Sequence, residues 1–367
     1  MGSALEELLR RHVNAGTIPG AVGLLGGPDA ELVAVGTASV GGALMPTDAI
    51  VRVQSMTKVI TAVAALRLVD AGRLELDSAL VEWLPELADR RVLRSPTAEL
   101  DDTEPARRDI TLRHLLTNSS GYGMVLVESP LQKAMLDNGT EAGPEPPSLG
   151  ADEFLRRLAD LPLAFQPGEG WRYHQSFAVL GILIARLAGR PLGEHLDEEL
   201  LGPLAMTDTA FWVPDDKLDR LPPAYRHGPD GLVEIEPAGG GFYAGPPPFD
   251  VSHSEVVSTA PDFHRFLRAL VDDALVAPAH RRLLTTDQVP AAAKTPDSFF
   301  PGFWNGTGWG FGVAVKTDGR ERGRFGWAGG LGTDFFVDPD GTVGILLTQV
   351  EMGAQLTPLI QGFQELH

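Results

Sequence analysis

Strand-like segments occur only near the two ends of this chain, and this distribution limits its possible folds more than any other feature. Short apolar runs bounded by turn residues lie at 20–27 and 31–40, and four more follow residue 308. From about residue 55 to 270 the apolar spacing is mostly helical. Such grouping argues against an alternating parallel sheet. We therefore predict an α+β fold in which both chain ends join one antiparallel sheet flanked by helices, with a mainly helical lobe inserted between them.

The length of the chain supports this division into two parts. Its 367 residues, 43% of them apolar, suffice for two domains or for one large domain with an inserted lobe. We predict a discontinuous sheet domain formed by residues 1–75 and 255–367. Residues 76–254 are predicted to form the mainly helical domain, with Pro- and Gly-rich loops at 140–150 and 244–249. A functional site is expected in the cleft between the two.

Composition excludes several classes of function. The chain carries 49 carboxylates against 30 lysines and arginines, and a net charge of -19 repels nucleic acids. It contains no cysteine, which excludes disulfides, thiolate catalysis and cysteine-ligated zinc. The nine histidines are scattered without an H-E-x-x-H motif, so neither a metal nor an organic cofactor is predicted. The N-terminal MGSALEELLRRHV lacks the apolar stretch of a signal peptide. No segment has the roughly 20 apolar residues of a membrane span. We therefore predict a cytoplasmic protein without a membrane partner.

The segment VRVQSMTKVI, at 51–60, contains the only Ser-x-x-Lys pattern of the chain. If a helix begins near Ser55, this residue and Lys58 share one face, because positions three apart on a helix are neighbours. Two interpretations follow. Either Ser55 caps the helix and Lys58 is solvated, or Ser55 is the nucleophile of an acyl-transfer enzyme and Lys58 is its base. The second interpretation requires burial that lowers the pKa of the lysine from about 10.4 towards 7.

A serine–lysine site also needs a group that passes a proton to the leaving group, and tyrosine often serves. Only four tyrosines are present. Tyr173 lies in FQPGEGWRYHQSFAVLGILIARLAG, at 165–189, where a turn-rich stretch precedes an amphipathic helix. Its hydroxyl is therefore expected at the start of a helix.

Three further segments follow a recognisable order: DITLRHLLTNSSG at 109–121, VVSTAPDFHRFL at 256–267 and RFGWAGGLGTDFFVDPDG at 324–341. Together with the segment around Tyr173, they resemble motifs of the serine β-lactamase-like superfamily. That superfamily includes class C β-lactamases, DD-peptidases and the family VIII carboxylesterases, which the sequence resembles most. The resemblance extends from about residue 15 to the C-terminus. It implies the fold predicted above and a hydrolase that works through an acyl-enzyme.

The resemblance also implies a role for each matching residue. Ser55 is the implied nucleophile and Lys58 its base partner. Tyr173 is the implied second base and proton donor to the leaving group. The backbone N–H groups of Ser55 and Gly330 are the implied oxyanion hole, in which each donor typically contributes roughly 10²–10³ in rate.

The third catalytic motif departs from the family pattern. Trp327-Ala328-Gly329 takes the place of Lys-Thr-Gly or His-x-Gly and is expected to contact the substrate. An indole cannot replace a charge-assisted hydrogen bond to a substrate carboxylate, but it can form a wall for an apolar acyl or alcohol group. The family VIII esterases resemble this sequence in having Trp there. Arg324 or Lys316 could still supply a charge from a neighbouring position.

Four other residues are candidates for the substrate pocket. Gln175 replaces the asparagine of the family's Tyr-x-Asn motif, which weakens the case for a peptide or β-lactam substrate. Trp304 and Trp309, in SFFPGFWNGTGWGF, either line an acyl pocket or pack in the core. Tyr122, in NSSGYG, either covers the cleft or has a structural role.

These observations predict a serine hydrolase that acts through an acyl-enzyme, most simply a carboxylesterase on small neutral esters. The close alternatives are a β-lactamase, a D-amino-acid peptidase or an acyltransferase. A non-catalytic relative that binds a ligand through the same fold is the alternative from another class. The expected partner is a small-molecule ester or amide, and no nucleic acid.

Overall fold

The computed structural model describes residues 2–141 and 147–367, so part of the predicted 140–150 loop lies outside the described residues. Within these ranges the helices are α1 (Ala4–Asn14), α2 (Thr57–Asp70), α3 (Leu112–Leu116), α4 (Pro130–Asn138), α5 (Ala151–Ala159), α6 (Gln175–Ala188), α7 (Leu192–Leu196), α8 (Ala260–Val271), α9 (Pro278–Leu284) and α10 (Thr357–Gln364). The strands are β1 (Gly20–Gly26), β2 (Glu31–Gly36), β3 (Val51–Arg52), β4 (Arg91–Leu93), β5 (Thr103–Pro105), β6 (Ala224–Gly228), β7 (Gly231–Glu236), β8 (Val257–Ser258), β9 (Thr307–Trp309), β10 (Ala314–Lys316), β11 (Phe325–Gly329), β12 (Thr333–Val337) and β13 (Val343–Leu347).

Both ends of the chain contribute to one seven-stranded sheet, with strand order β2-β1-β13-β12-β11-β10-β9. Every neighbouring pair is antiparallel, including β1 with β13, where Val22 faces Leu347. The α+β prediction, with an antiparallel sheet flanked by helices, is therefore confirmed. Alternate residues of β12 serve opposite faces of the sheet: Phe335 joins the main core, whereas Phe336 packs with α1 and α10.

The main core runs from the sheet through α2 into the helical part of the chain. It includes Ile345 on β13, Ile60 on α2, Phe177 on α6 and Leu115 on α3. A single continuous core of this kind does not by itself mark a domain boundary. The division at residues 75 and 255 therefore stays a prediction.

The middle of the chain contains strands that the helical apolar spacing did not indicate. β6 and β7 form an antiparallel hairpin, and β4 pairs with β5. The hairpin turns at Pro229-Asp230-Gly231, where Gly231 has a φ of 128°. The alternation in VEIE at 233–236 is too short to be distinguished from a helical pattern by spacing alone.

The length and apolar content of the helices bear on whether any of them could cross a membrane. Within the described ranges no single helix is long and apolar enough to cross one. The bent pair formed by Gln175–Ala188 and Leu192–Leu201 meets the criterion by length and composition only.

Candidate active site

Ser55 lies on a tight turn at the start of a buried helix. A 3₁₀ turn, Gln54–Met56, directly precedes α2. This helix is apolar on nearly all sides, and the core encloses it accordingly. Gln54 has a φ of 52°, in the left-handed region, so the chain bends sharply just before the serine. The free N–H groups and the dipole at this end of α2 favour negative charge beside Ser55.

Lys58 is fully buried, which excludes the interpretation in which it is a solvated lysine. Its Nζ donates to Ser55 Oγ at 3.1 Å and to the carbonyl oxygen of His253 at 2.5 Å. Burial lowers the pKa of Lys58 well below the ordinary value of 10.5, although Glu255 opposes the shift. An amine that loses its proton this readily is a suitable base for a serine hydroxyl.

Tyr173 lies two residues before α6, and its ring covers the amine of Lys58, whose Nζ is 4.4 Å from the ring centroid. The indole Nε1 of Trp327 donates to the Tyr173 hydroxyl at 2.6 Å. The Ser55 hydroxyl also faces the phenol. Burial raises the pKa of Tyr173 above its ordinary value and outweighs these two contacts, which lower it. Tyr173 is therefore protonated at neutral pH and can donate a proton.

β11 approaches the serine turn more closely than a side chain at Gly329 would allow. A Cβ at this position would lie 2.4 Å from the carbonyl oxygen of Val53 and 2.2 Å from Thr333 Oγ1. Thr333 Oγ1 donates to the same Val53 oxygen at 2.9 Å, which fixes the approach. The next residue, Gly330, is exposed, and in the described parts of the chain its N–H makes no backbone hydrogen bond. This N–H is thus available to a substrate oxygen.

The two predicted tryptophans of the 298–311 segment differ in position. Trp309 is fully buried, with its ring centroid 4.8 Å from that of Trp327 and 5.9 Å from that of Tyr173. It packs behind these two side chains, which corresponds to the core-packing alternative. Trp304 is half-buried, and its Nε1 donates to Ser298 Oγ at 2.8 Å. A substrate contact for Trp304 remains a prediction.

Gln175, Tyr122 and Ala328 do not join the serine, lysine and tyrosine side chains by any hydrogen bond among the described residues. The Gln175 amide donates to the carbonyl oxygen of Thr140 at 3.2 Å. The Tyr122 ring is part of the main core, and its hydroxyl faces Arg90. The side chain of Ala328, one residue beyond Trp327, points to the other face of the sheet because side chains alternate along a strand. Both residues line a cavity of about 460 Å³.

The two cations that could have held a substrate carboxylate are engaged elsewhere. Arg324 is buried, and its guanidinium donates to both carboxylate oxygens of Asp338 at 2.7 and 2.9 Å. Lys316 is partly exposed, and its Nζ lies 3.7 Å from a carboxylate oxygen of Glu321. Across residues 2–141 and 147–367, no group of three or more His, Asp or Glu side chains is arranged to hold a metal ion.

Sequence reasoning missed two histidines beside the lysine. The rings of His174 and His253 are 3.8 Å apart, and burial lowers the pKa of each well below 6.5. His174 also has a φ of 102°, which side chains rarely adopt. His253 contacts Lys58 through its main-chain oxygen, and a backbone acceptor leaves no signal in the sequence. The one feature of the sequence that could have indicated them is His174 itself, which replaces a small residue inside the Tyr-x-Asn motif.

An antiparallel sheet, a buried central helix and a serine–lysine pair at its start together define a serine hydrolase with the β-lactamase or transpeptidase fold. The chain belongs to the Beta-lactamase family, whose model matches residues 5–353. The resemblance noted from the sequence motifs is thereby confirmed.

Three similar proteins indicate the range of this family. Protein Rv1367c of Mycobacterium tuberculosis is 35% identical over 315 residues, covering 81% of this chain and 76% of that protein. Esterase EstB of Burkholderia gladioli is 32% identical over 326 residues, again covering 81% of this chain and 76% of the relative. The solved structure of EstCE1, described as a hydrolase with promiscuous acyltransferase activity, superposes with a TM-score of 0.81 at 24% identity, covering 99% of this chain and 97% of that one. That last likeness shows the fold alone.

Proposed function

We propose that this protein is a carboxylesterase that hydrolyses small neutral esters through an acyl-enzyme on Ser55. One observation carries the proposal: a fully buried lysine amine lies 3.1 Å from the serine hydroxyl oxygen. Because burial destabilises its charged form, this amine can take the serine proton near neutral pH. A cytoplasmic location remains part of the prediction from the sequence.

The proposed reaction has two steps. Ser55 Oγ attacks the ester carbonyl while its proton moves to neutral Lys58, and the N–H groups of Ser55 and Gly330 stabilise the oxyanion. As the tetrahedral intermediate collapses, Tyr173 protonates the departing alcohol and recovers a proton from Lys58. Water then attacks the acyl-enzyme by the reverse sequence of proton transfers, releasing the acid and restoring Ser55.

The preference for neutral esters rests on what surrounds the third motif. Trp327 directs its N–H at Tyr173, so its ring offers a substrate an apolar wall and no charge. Arg324 is committed to Asp338, which removes a cation that a β-lactam or peptide carboxylate would need. The 32% identity to esterase EstB supports the same choice.

Transfer of the acyl group to an alcohol instead of water is the second candidate. EstCE1 is described as having such promiscuous activity, and the acyl-enzyme proposed here is an intermediate common to both reactions. Hydrolysis and transfer then differ only in the nucleophile that attacks the acyl-enzyme. Adding a short alcohol to the assay and measuring the new ester separates them.

The first prediction concerns Ser55 and the substrate class. We expect the protein to hydrolyse p-nitrophenyl butyrate faster than a chromogenic cephalosporin and to be labelled by a fluorophosphonate. Ser55→Ala should lower kcat by about 10³-fold or more, because the nucleophile is lost. Steady-state kinetics and mass spectrometry of the labelled peptide are the measurements.

Ser119→Ala is the matched control, since Ser119 is a buried serine bonded to Thr117 at 2.8 Å and lies outside the proposed site. It should keep labelling and activity. Faster turnover of the cephalosporin would contradict the ester assignment. A folded protein that never takes up the fluorophosphonate would instead favour a non-catalytic, ligand-binding relative.

A further inference from the structure

A buried chain of polar side chains leads to the residue that precedes Ser55. The Nε2 of Gln54 donates to the Tyr243 hydroxyl at 3.0 Å, and this hydroxyl donates in turn to Glu255 Oε2. Ser254 donates to the other carboxylate oxygen of Glu255 at 2.7 Å. Both Tyr243 and Glu255 are almost completely buried, at 4% and 6% exposure. The proposed acylation mechanism uses none of these side chains.

The conformation of Gln54 explains what these hydrogen-bonded side chains hold in place. Its left-handed φ of 52° is unfavourable for a residue with a side chain, so surrounding contacts must maintain it. Thr57 Oγ1, which donates to the Gln54 carbonyl oxygen at 2.6 Å, secures the main chain on one side. The hydrogen bond that Gln54 Nε2 donates to the Tyr243 hydroxyl secures the side chain. A shift of Gln54 would displace Ser55 directly, since the two are adjacent.

Glu255 also belongs to the charge environment of Lys58. The groups that face the lysine are the Tyr173 phenol, the rings of His174 and His253, and Glu255. Both imidazoles have a pKa well below 6.5 and are neutral at neutral pH. Glu255 is therefore the group among these that can carry a negative charge.

The carboxyl of Glu255 has its own balance of effects. Burial raises the pKa of this carboxyl above its ordinary value, although the hydroxyls of Tyr243 and Ser254 and the charge of Lys58 oppose the shift. Glu236 raises it further, and Arg52 faces the Tyr243 ring at 5.2 Å from its centroid. Two hydroxyl donors on one buried carboxylate are the arrangement expected for an ionised group.

We propose that Glu255 is a positioning residue of the hydrolase, which through Tyr243 and Gln54 holds the turn that carries Ser55 and places a negative charge beside Lys58. This inference rests on the proposed function, because positioning the turn matters only if Ser55 is the nucleophile. Nothing in the third motif or in the Ser-x-x-Lys pattern encodes it.

A pair of variants isolates the positioning role and forms the second prediction. Tyr243→Phe breaks the link between Glu255 and Gln54, whereas Ser254→Ala removes an equivalent hydrogen bond to the same carboxylate without touching Gln54. We expect kcat for p-nitrophenyl butyrate to fall by about tenfold or more in Tyr243→Phe and by less than about threefold in Ser254→Ala, with KM within about twofold in both, since small displacements of a nucleophile cost rate rather than binding.

Glu255→Gln tests the charge. The carboxylate opposes the loss of the proton from Lys58, so its removal lowers the pKa of the lysine further. The rising limb of the plot of kcat/KM against pH should then move to lower pH, by about 0.5 unit or more. A merely structural role would leave this limb in place. Glu236→Gln removes a carboxylate that lies 3.7 Å from the Arg52 guanidinium, and it should shift this limb less.

The outcomes separate this inference from the proposed function. The role of Glu255 would be overturned by equal losses of kcat in Tyr243→Phe and Ser254→Ala. It would also be overturned if the rising limb of kcat/KM did not move in Glu255→Gln. In either case, fluorophosphonate labelling of Ser55 would still support the proposed hydrolase function. Labelling that persists in Ser55→Ala would remove both. Thermal unfolding of each variant, with kcat expressed per labelled site, ensures that a loss of folded protein is not counted as a loss of rate.

Discussion

At the scale of single residues, Trp327 has two roles, one as an apolar ring and one as a hydrogen-bond donor. As an aromatic ring it forms an apolar wall in the third motif. Its Nε1 also donates to the Tyr173 hydroxyl at 2.6 Å, so it stabilises any negative charge that develops on the phenol oxygen. The sequence indicated the first property and not the second, because the direction of an indole N–H depends on tertiary packing.

The third prediction follows from this bond. Trp327→Phe keeps an aromatic ring but removes the donor, and a hydrogen bond to a charged group contributes roughly 1.5–3 kcal/mol. We expect kcat for p-nitrophenyl butyrate to fall by about tenfold to a hundredfold, with a smaller change in KM. Steady-state kinetics across several pH values is the measurement.

Trp309→Phe is the matched control for Trp327→Phe. Its indole nitrogen has no hydrogen-bond partner in the described chain, and its ring packs in the same aromatic cluster. This variant should lose thermal stability and far less activity. An equal fall in kcat in both variants would mean that packing, and not the Trp327 donor, supports Tyr173.

At the scale of elements, the site depends on the approach of the β11 end to the turn before α2. Gly329 permits this approach, since a Cβ there would lie within 2.4 Å of the Val53 carbonyl oxygen. Gly330 directly follows this strand and lies beside the serine turn, since a Cβ on it would be 3.7 Å from Gln54 Oε1. The residue after β11 and the turn before α2 thus contribute one oxyanion donor each in the proposed mechanism.

The fourth prediction concerns these two glycines. Gly329→Ala should push β11 away from the serine turn, lowering the free energy of unfolding by about 1–3 kcal/mol as overpacking usually does, and lowering kcat as the oxyanion donors separate. Gly330→Ala should be tolerated better, because its nearest contact would be Gln54 Oε1 at 3.7 Å and its N–H is retained. Chemical denaturation and kinetics measure the two effects. Greater damage from Gly330→Ala would contradict this account.

The elements at the chain ends could be predicted well from the sequence, and those in the middle less so. Runs such as TVGILLTQV, bounded by Pro339-Asp340-Gly341, have turn residues where the sheet needs them. The β6–β7 hairpin escaped notice because its strands are short and β7 is mostly exposed. Ser55, Lys58 and Tyr173 could be proposed from motifs. Gln54, Tyr243 and Glu255 could not, because buried polar contacts between distant segments follow from packing alone.

At the scale of the whole molecule, α10 closes the sheet over a buried carboxyl. Asp334 on β12 is only 2% exposed, and Gln364 Nε2 donates to its Oδ2 at 2.7 Å. Burial raises the pKa of Asp334 to about 7, although Gln364, Arg324 and Lys316 lower it. Folding therefore favours the protonated acid. Its contribution to stability is fully present below about pH 4, near the unfolded pKa of 3.8, and is lost as the pH rises through about 7.

The fifth prediction is a change in how stability depends on pH. Asp334→Asn replaces the acid by a neutral amide of the same shape that can still accept from Gln364. Its Tm should exceed that of the wild type at pH 8, and the difference should shrink towards pH 5. Scanning calorimetry at both pH values is the measurement.

Asp340→Asn is the control of opposite sign. Asp340 accepts from the Thr342 N–H at 2.9 Å, and hydrogen bonds lower the pKa of this largely exposed carboxyl. Its stabilising contribution is present above the unfolded pKa and lost in acid, so the variant should be slightly less stable at pH 8. An Asp334→Asn protein that is less stable than the wild type at pH 8 would show that the carboxyl is not strained by its burial.

The pairing of β1 with β13 has a consequence for how the molecule is made. β1 is the first strand of the sheet in chain order and its neighbour β13 is the last, so β1 leaves the ribosomal exit tunnel long before its partner has been synthesised. Until β13 has been synthesised, one edge of the β1–β2 ribbon stays open to other nascent chains. Completion of the sheet therefore has to wait for β13, and the large sequence separation of this pairing is expected to slow folding.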